Sequence, residues 1–186
     1  MRFFKYSFFF VLFFLVILQT SSAMGQFFFF QHPLQDKKAP DFILKTTQGQ
    51  EKRMTEFLNG QSGIVFFWST WCPHCRTQLS YLYKNRQRLE KQGIKLVLVD
   101  IEETARDVKD YLKRRKINFE VFLDQEAQVA DQYSIIGIPA FFFVDPQGQV
   151  VAAKNFFPKD YMRFFRKQNN GSGFSDSPRK RIDGID

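Results

Sequence analysis

Two cysteines constrain this chain of 186 residues more than any other feature, because Cys72 and Cys75 are the only ones it has. They stand where the apolar run at residues 64–68, which is typical of a strand buried on both faces, gives way to a segment of helical periodicity. A disulfide stabilises a fold mainly by closing a long loop, and a spacing of three positions closes almost none. The pair is therefore predicted to serve thiol chemistry at the start of a helix.

The start of a helix favours a reactive thiolate. Its first turn has unpaired N–H groups and the positive end of the helix dipole, which stabilise a thiolate more than a thiol. Pro73 suits the first helical position because it lacks an N–H group, and His74 can add a hydrogen bond or a positive charge. Cys72 is expected to attack a substrate disulfide, and Cys75 to resolve the mixed disulfide that forms. The structural alternative is a pair of inert, buried thiols.

The rest of the chain alternates predicted strands with predicted helices. Further strands are expected near residues 42–44, 96–99, 119–123, 140–144 and 149–153, and helices near 73–92, 104–116, 127–133 and 159–167. A turn at residues 145–148 separates the last two strands. This order predicts an α/β sandwich with a mixed sheet.

Several side chains near the cysteines have a simple structural interpretation. Asp100, Glu102 and Glu103 follow a predicted strand and are interpreted as capping residues of the next helix. Trp68 and Trp71 are expected either to shape a groove beside the cysteines or to pack in the core.

The two ends of the chain differ in composition from its centre. Residues 1–23 combine a charged start, an apolar run and small residues, which predicts a signal peptide or an uncleaved signal anchor. We assign residues 24–38 to a linker, 39–167 to the folded domain and 168–186 to a disordered tail. The protein is therefore expected outside the cytoplasm, in the periplasm or tethered to the cytoplasmic membrane. Its net charge of +8 is interpreted as ordinary solubility with a basic tail, and the alternative is contact with anionic membranes or acidic partners. No motif indicates nucleic acid.

Three blocks of the sequence resemble the thioredoxin superfamily, and within it the exported TlpA/ResA/CcmG-like thiol–disulfide oxidoreductases. They are Ala-Pro-Asp-Phe at 39–42, the stretch ending in Trp-Cys-Pro-His-Cys at 65–75, and Ile-Gly-Ile-Pro-Ala at the start of 136–148. The resemblance implies a thioredoxin-like three-layer sandwich with a central mixed β-sheet and an N-terminal β extension. It also implies an extra βα unit between the active site and a cis-proline.

The same resemblance implies roles for individual residues. Pro139 would be the cis-proline facing the cysteines, and the backbone of Ile138 would pair with an extended segment of the substrate. Trp71, Pro73 and His74 would tune the active site. No metal and no cofactor beyond the Cys72–Cys75 disulfide are implied.

Three features depart from the family pattern. Ala140 stands where the family commonly has threonine, and Phe66 stands where thioredoxin itself has a buried acid. The Pro-His dipeptide between the cysteines is the one typical of DsbA-like oxidants. It raises the expected potential above the thioredoxin end of a scale that runs from about −270 mV to about −120 mV. The direction of electron flow therefore stays open between a reductase and a disulfide oxidase or isomerase.

The resemblance implies an enzyme, a protein thiol–disulfide oxidoreductase acting on protein disulfides or dithiols, and a monomer is expected. A reductase of this kind needs a membrane electron-transfer partner, and the family suggests cytochrome c maturation as its context. Two other classes of function fit the sequence less well. A peroxiredoxin-like peroxidase has a motif with a threonine before a lone cysteine. Here Thr70 stands two positions before Cys72, and Cys72 is not alone because Cys75 follows it, so this class fits poorly. Copper handling by both thiolates and His74 is awkward within so short a loop, and His32 lies outside the predicted domain.

Overall fold

The structure is a computed structural model that describes residues 31–166, so the predicted signal segment and tail lie outside the described residues. The strands are β1 (Ile43–Lys45), β2 (Glu51–Arg53), β3 (Ser62–Trp68), β4 (Ile94–Ile101), β5 (Phe122–Asp124), β6 (Ala140–Val144) and β7 (Val150–Lys154). The helices are α1 (Met54–Leu58), α2 (Pro73–Lys91), α3 (Ala105–Arg114), α4 (Gln128–Gln132) and α5 (Met162–Arg166). Within this part of the chain, no helix is both long and apolar enough to cross a membrane.

The central sheet has five strands in the order β5-β4-β3-β6-β7. β3, β4 and β5 are parallel, whereas β6 runs antiparallel to both β3 and β7. β1 and β2 form a separate antiparallel hairpin ahead of the sheet, and β5 and α4 follow the β4–α3 unit before the chain reaches β6. The predicted mixed sheet, N-terminal β extension and extra βα unit are thus confirmed.

Alternation along β3 divides the core into two layers, one on each face of the sheet. Phe66 and Trp68 lie on the face that α2 and α3 cover, together with Cys75 of α2. Phe67 lies on the other face, which packs against α1, α4 and the β1–β2 hairpin. All seven residues of β3 but the first are buried, as the apolar run predicts for a central strand covered on both faces.

Some boundaries differ from those expected. β5 begins at Phe122 and not at residue 119, because both backbone groups of Val121 bond to Thr47 beside the hairpin and not to β4. β2 and α1 were not predicted, since elements of three and five residues show no clear periodicity. Residues 32–38, assigned above to a linker, contact the domain: the Asp36 N–H donates to the Val150 carbonyl oxygen at 2.8 Å.

Candidate active site

Cys72 is the N-cap residue of α2 and forms a disulfide with Cys75. Its backbone is extended, with φ −82° and ψ 112°, and Pro73 occupies the first turn as expected. The N–H of Cys75 donates to the Cys72 sulfur at 3.2 Å. The sulfur therefore receives an otherwise unpaired helical N–H group at the positive end of the helix dipole, where a thiolate released on reduction is stabilised.

The two cysteines differ in access to solvent. Cys75 is fully buried in the core layer beneath α2, whereas Cys72 is 5% exposed. Pro73 and His74, which separate them, are exposed. A partner that arrives from solvent therefore meets Cys72 first, and Cys75 is placed to react only with Cys72.

The loop before β6 lies against Cys72. The Ile138–Pro139 peptide bond is cis, as the resemblance implies. The carbonyl oxygen of Ile138 lies 3.9 Å from the Cys72 sulfur. β6 begins only at Ala140, so Ile138 lies just outside the sheet's ladder. The arrangement places a backbone segment beside the sulfur, and the predicted pairing of that segment with substrate stays a prediction.

Large apolar side chains are exposed on both loops that meet at the disulfide. Trp71, directly before Cys72, is 63% exposed, and Ile136 in the loop before β6 is fully exposed. Trp68 behaves differently, because it is buried in the core. Of the two tryptophans, Trp71 is therefore the one available to a partner, and Trp68 is a packing residue.

Two consecutive residues fix the active-site loop to the end of β4. The Ser69 hydroxyl donates to the Ile101 carbonyl oxygen at 3.0 Å. The backbone N–H and the hydroxyl of Thr70 both donate to the Glu103 carboxylate, each at 2.5 Å. The capping role expected for Glu103 is wrong, because Thr104 is the N-cap of α3 and accepts from the Asp107 N–H at 3.2 Å.

Asp100, at the end of β4, is fully buried. Neither of its carboxyl oxygens has a hydrogen-bond donor among residues 31–166. Burial is the main cause that raises the pKa of Asp100 to about 9, and the neighbouring carboxyl groups of Glu103 and Asp107 raise it further. Asp100 is therefore protonated at neutral pH. It does not cap α3, because the N-cap of that helix is Thr104.

Phe66 makes the centre of the sheet apolar where thioredoxin has an acid. Its ring stacks on that of Phe141 at a centroid distance of 4.3 Å, and both residues are fully buried. Its partner in β4 is Leu98, so no charge faces it from that strand. A buried acid lies instead at Asp100, the register partner of Trp68, and Asp124 and Asp145 are buried as well.

The structure thus brings Cys72, Cys75, Ile138 and Pro139 together, with Trp71 and His74 exposed beside them. Sequence reasoning missed Thr70, Asp100 and Glu103 as parts of this site. One feature of the sequence could have indicated them: Asp100 is an acidic residue that ends a buried parallel strand. The carboxyl ends of β3 and β4 meet at the same edge of the sheet, which places residues after β4 beside the active-site loop. No group of three or more possible metal-ligating residues occurs within residues 31–166.

Comparisons with known proteins agree with this site. The chain is 33% identical over 113 residues to the thiol-disulfide oxidoreductase ResA of Bacillus subtilis, an alignment that covers 61% of this chain and 63% of the relative. The chain therefore spans less than two thirds of the length of the first curated relatives that it matches.

Two solved structures share the fold. One is StoA from Bacillus subtilis, with 26% identity, a TM-score of 0.57 and coverage of 67% of this chain and 95% of the other. The second is a thiol:disulfide interchange protein from Chlorobium tepidum, with 26% identity, a TM-score of 0.59 and coverage of 72% and 96%. The model of the AhpC/TSA family matches residues 36–153, which include both cysteines and Pro139. The chain therefore belongs to the AhpC/TSA family and has a thioredoxin-like fold.

Proposed function

We propose that this protein is a thiol–disulfide oxidoreductase that exchanges disulfides with protein substrates outside the cytoplasm, working as a reductase through Cys72 and Cys75. One observation carries the proposal: the Cys72–Cys75 disulfide caps a helix N-terminus beside the cis-proline loop, with Cys75 fully buried behind Cys72. The names of the similar proteins, thiol-disulfide oxidoreductase and thiol:disulfide interchange protein, support the same activity.

The proposed reaction transfers two electrons to the substrate. The Cys72 thiolate attacks one sulfur of a substrate disulfide, so that a mixed disulfide forms and the first substrate thiolate leaves. Cys75 then loses its proton and attacks the Cys72 sulfur. This step forms the Cys72–Cys75 disulfide and releases the second substrate thiolate, and the two thiolates take up two protons. A dithiol donor must afterwards reduce the protein disulfide by the same steps in reverse.

Helix capping supports the role of Cys72 in both half-reactions. In the second step Cys72 changes from an attacking group to the sulfur under attack, and in regeneration it leaves as a thiolate. The N–H of Cys75, 3.2 Å from the Cys72 sulfur, stabilises the negative charge on Cys72 when it attacks the substrate and when it leaves in regeneration. The lower pKa of the leaving thiol makes it leave faster.

The sequence of the N-terminal segment supports the proposed location. Residues 1–23 are predicted to be a signal peptide or anchor, which supports export. A reductase outside the cytoplasm needs a membrane electron-transfer partner to supply its dithiol. Cytochrome c maturation, in which cysteines are kept reduced for haem attachment, is the process we propose for its substrates.

The test is the reduction potential of the Cys72–Cys75 pair. The full chain in mild detergent is equilibrated with glutathione mixtures, and alkylated thiols are counted by mass spectrometry, with Cys75→Ser as the variant that cannot form the pair. A value near about −250 mV or lower supports the reductase. A value near about −150 mV or higher shows an oxidase or isomerase instead. If no Cys72–Cys75 disulfide forms at any potential, the proposed activity is wrong, and peroxide turnover without a protein disulfide would indicate a peroxidase.

A further inference from the structure

Two of the hydrogen bonds that hold the active-site loop end on one carboxylate, that of Glu103. Glu103 receives two hydrogen bonds from Thr70, one from its backbone N–H and one from its hydroxyl. Thr70 lies two positions before Cys72, and the Cys72 N–H donates to the carbonyl oxygen of Ser69 at 3.3 Å. A change in the position or charge of the Glu103 carboxyl group therefore acts directly on the loop that carries Cys72.

A second carboxyl group lies behind Glu103. Asp100 is the register partner of Trp68, and alternation along β4 places its side chain on the face of the sheet that also carries Leu98 and α2. It is fully buried, its carboxyl group faces that of Glu103, and no hydrogen-bond donor satisfies it among the described residues. Two adjacent carboxyl groups in a water-poor site cannot both carry a charge at low cost.

The groups that face Asp100 offer no positive charge. Besides Glu103, the α3 helix presents Asp107, whose carboxylate accepts from the Thr104 hydroxyl. Tyr111 of the same helix lies in the core layer on this face of the sheet, and its buried hydroxyl has no partner in residues 31–166. On the same face α2 contributes Cys75. None of the ion pairs within residues 31–166 includes Asp100 or Glu103. A proton is thus the available means of neutralising Asp100.

We propose that Asp100 and Glu103 form an acid pair with one proton and one negative charge, and that this pair is a positioning element of the active-site loop. The protonated carboxyl group of Asp100 donates to Glu103, and Glu103 keeps its remaining acceptor capacity for Thr70. The inference rests on the proposed thiol–disulfide exchange, because Cys72 is the group positioned. Both acids act through Thr70 and not by contact with the substrate.

The pair makes the reaction sensitive to alkaline pH. Burial, with Glu103 and Asp107 nearby, raises the pKa of Asp100 to about 9. Above that pH Asp100 becomes a second negative charge beside Glu103, the hydrogen bond between them is lost, and repulsion weakens the hold on Thr70. The added charge also opposes the approach of an attacking thiolate and the departure of the Cys72 thiolate. Above pH 9, reduction of the disulfide is therefore slower in the wild-type protein than in a protein whose residue 100 cannot ionise.

Asp100→Asn tests this directly, because asparagine keeps a donor towards Glu103 and cannot ionise. We would measure the rate at which excess dithiothreitol reduces the full chain, and take the ratio of variant to wild type at each pH, which cancels the ionisation of the reductant. Whatever its value at pH 7, the ratio is expected to rise by about threefold or more between pH 7 and pH 10. Glu102→Gln, an exposed neighbour, is the matched control and is expected to stay near 1 throughout. A ratio for Asp100→Asn that is flat from pH 7 to 10 overturns the proposal.

A second measurement does not depend on whether that variant folds. The carboxyl carbon of Asp100 is followed by ¹³C NMR in the wild-type chain, in Glu103→Gln and in Glu102→Gln. Titration near pH 9 is expected in the wild type, with a lower midpoint in Glu103→Gln and no change in Glu102→Gln. A wild-type midpoint below about pH 6, or no response to Glu103→Gln, shows that the two acids do not share a charge. Failure of the proposed activity is separate, because it appears as a disulfide that does not form.

Discussion

The sulfur of Cys72 lies 3.9 Å from the carbonyl oxygen of Ile138, although 66 positions separate the two residues. The antiparallel register of β3 and β6 brings them together, since Phe67 pairs with Ala140 at the end of the ladder. Each strand is extended by one loop beyond this pair, and the loops meet at the disulfide. A substrate segment that pairs with Ile138, as predicted from the sequence, would therefore have its own sulfur within reach of Cys72.

Cys75→Ser is expected to trap substrates as mixed disulfides. Cys72 can still attack, but the thiol that resolves the intermediate is missing, so the mixed disulfide accumulates. A disulfide-bonded peptide is mixed with the reduced variant, and the adduct is measured by mass spectrometry under non-reducing conditions. Cys72→Ser is the matched control, in which the remaining Cys75 is fully buried and forms little adduct. Equal adducts in the two variants would contradict the assignment of Cys72 as the nucleophile.

Trp71→Ala is expected to slow reaction with protein substrates and to leave reaction with small thiols unchanged. The indole is 63% exposed beside Cys72, so its loss removes contact area from a partner and almost nothing from the core. Truncation of a tryptophan at the centre of an interface commonly costs about 2 kcal/mol or more, which corresponds to about thirtyfold or more in kcat/KM. The rate of reduction by dithiothreitol is expected within about twofold of wild type. Ile43→Ala, on the exposed edge of β1, is the control; an equal loss there would remove the argument for Trp71.

The parts of the site that could be predicted are those coded by neighbouring residues. One helical turn contains Cys72, Pro73 and Cys75, so their spacing in the sequence predicts their proximity. The prediction of Pro139 came from the family resemblance of the block around it. Glu103 was assigned to a cap because an acid before a helix suggests one. Its true partner, Thr70, lies 33 positions away and meets it only because β3 and β4 are in parallel register. The depth of Asp100 likewise depends on tertiary packing, which periodicity does not report.

Phe66→Ala is expected to destabilise the protein by about 3–5 kcal/mol, the range for removing a fully buried phenylalanine. The ring stacks on Phe141 at 4.3 Å and thereby joins β3 to β6, the two strands whose loops meet at the disulfide. Urea denaturation of the oxidised protein measures the change. Phe156→Ala is the matched control, because that ring is 58% exposed, and it is expected within about 0.5 kcal/mol of wild type. A small effect of Phe66→Ala would show that the stack adds little to the core.

The contribution of Asp100 to the stability of the oxidised protein is expected to fall as pH rises from about 4 to about 9, and Asp100→Asn is expected to remove this contribution. An unfolded aspartate has a pKa of about 3.9, whereas burial and the carboxyl groups of Glu103 and Asp107 raise the folded pKa of Asp100 to about 9. Between these values the folded state holds one proton more than the unfolded state. The free energy of unfolding contributed by this group is therefore greatest below the unfolded pKa and is lost as pH rises, with a slope of up to about 1.4 kcal/mol per pH unit.

Urea denaturation at pH 5 and pH 8 measures the difference between wild type and variant, in which all other groups cancel. Asp110→Asn, at an exposed site on α3, should change with pH as the wild type does. Parallel curves for wild type and Asp100→Asn would mean that Asp100 is ionised in the folded protein, and the single charge assigned to the acid pair would then be wrong.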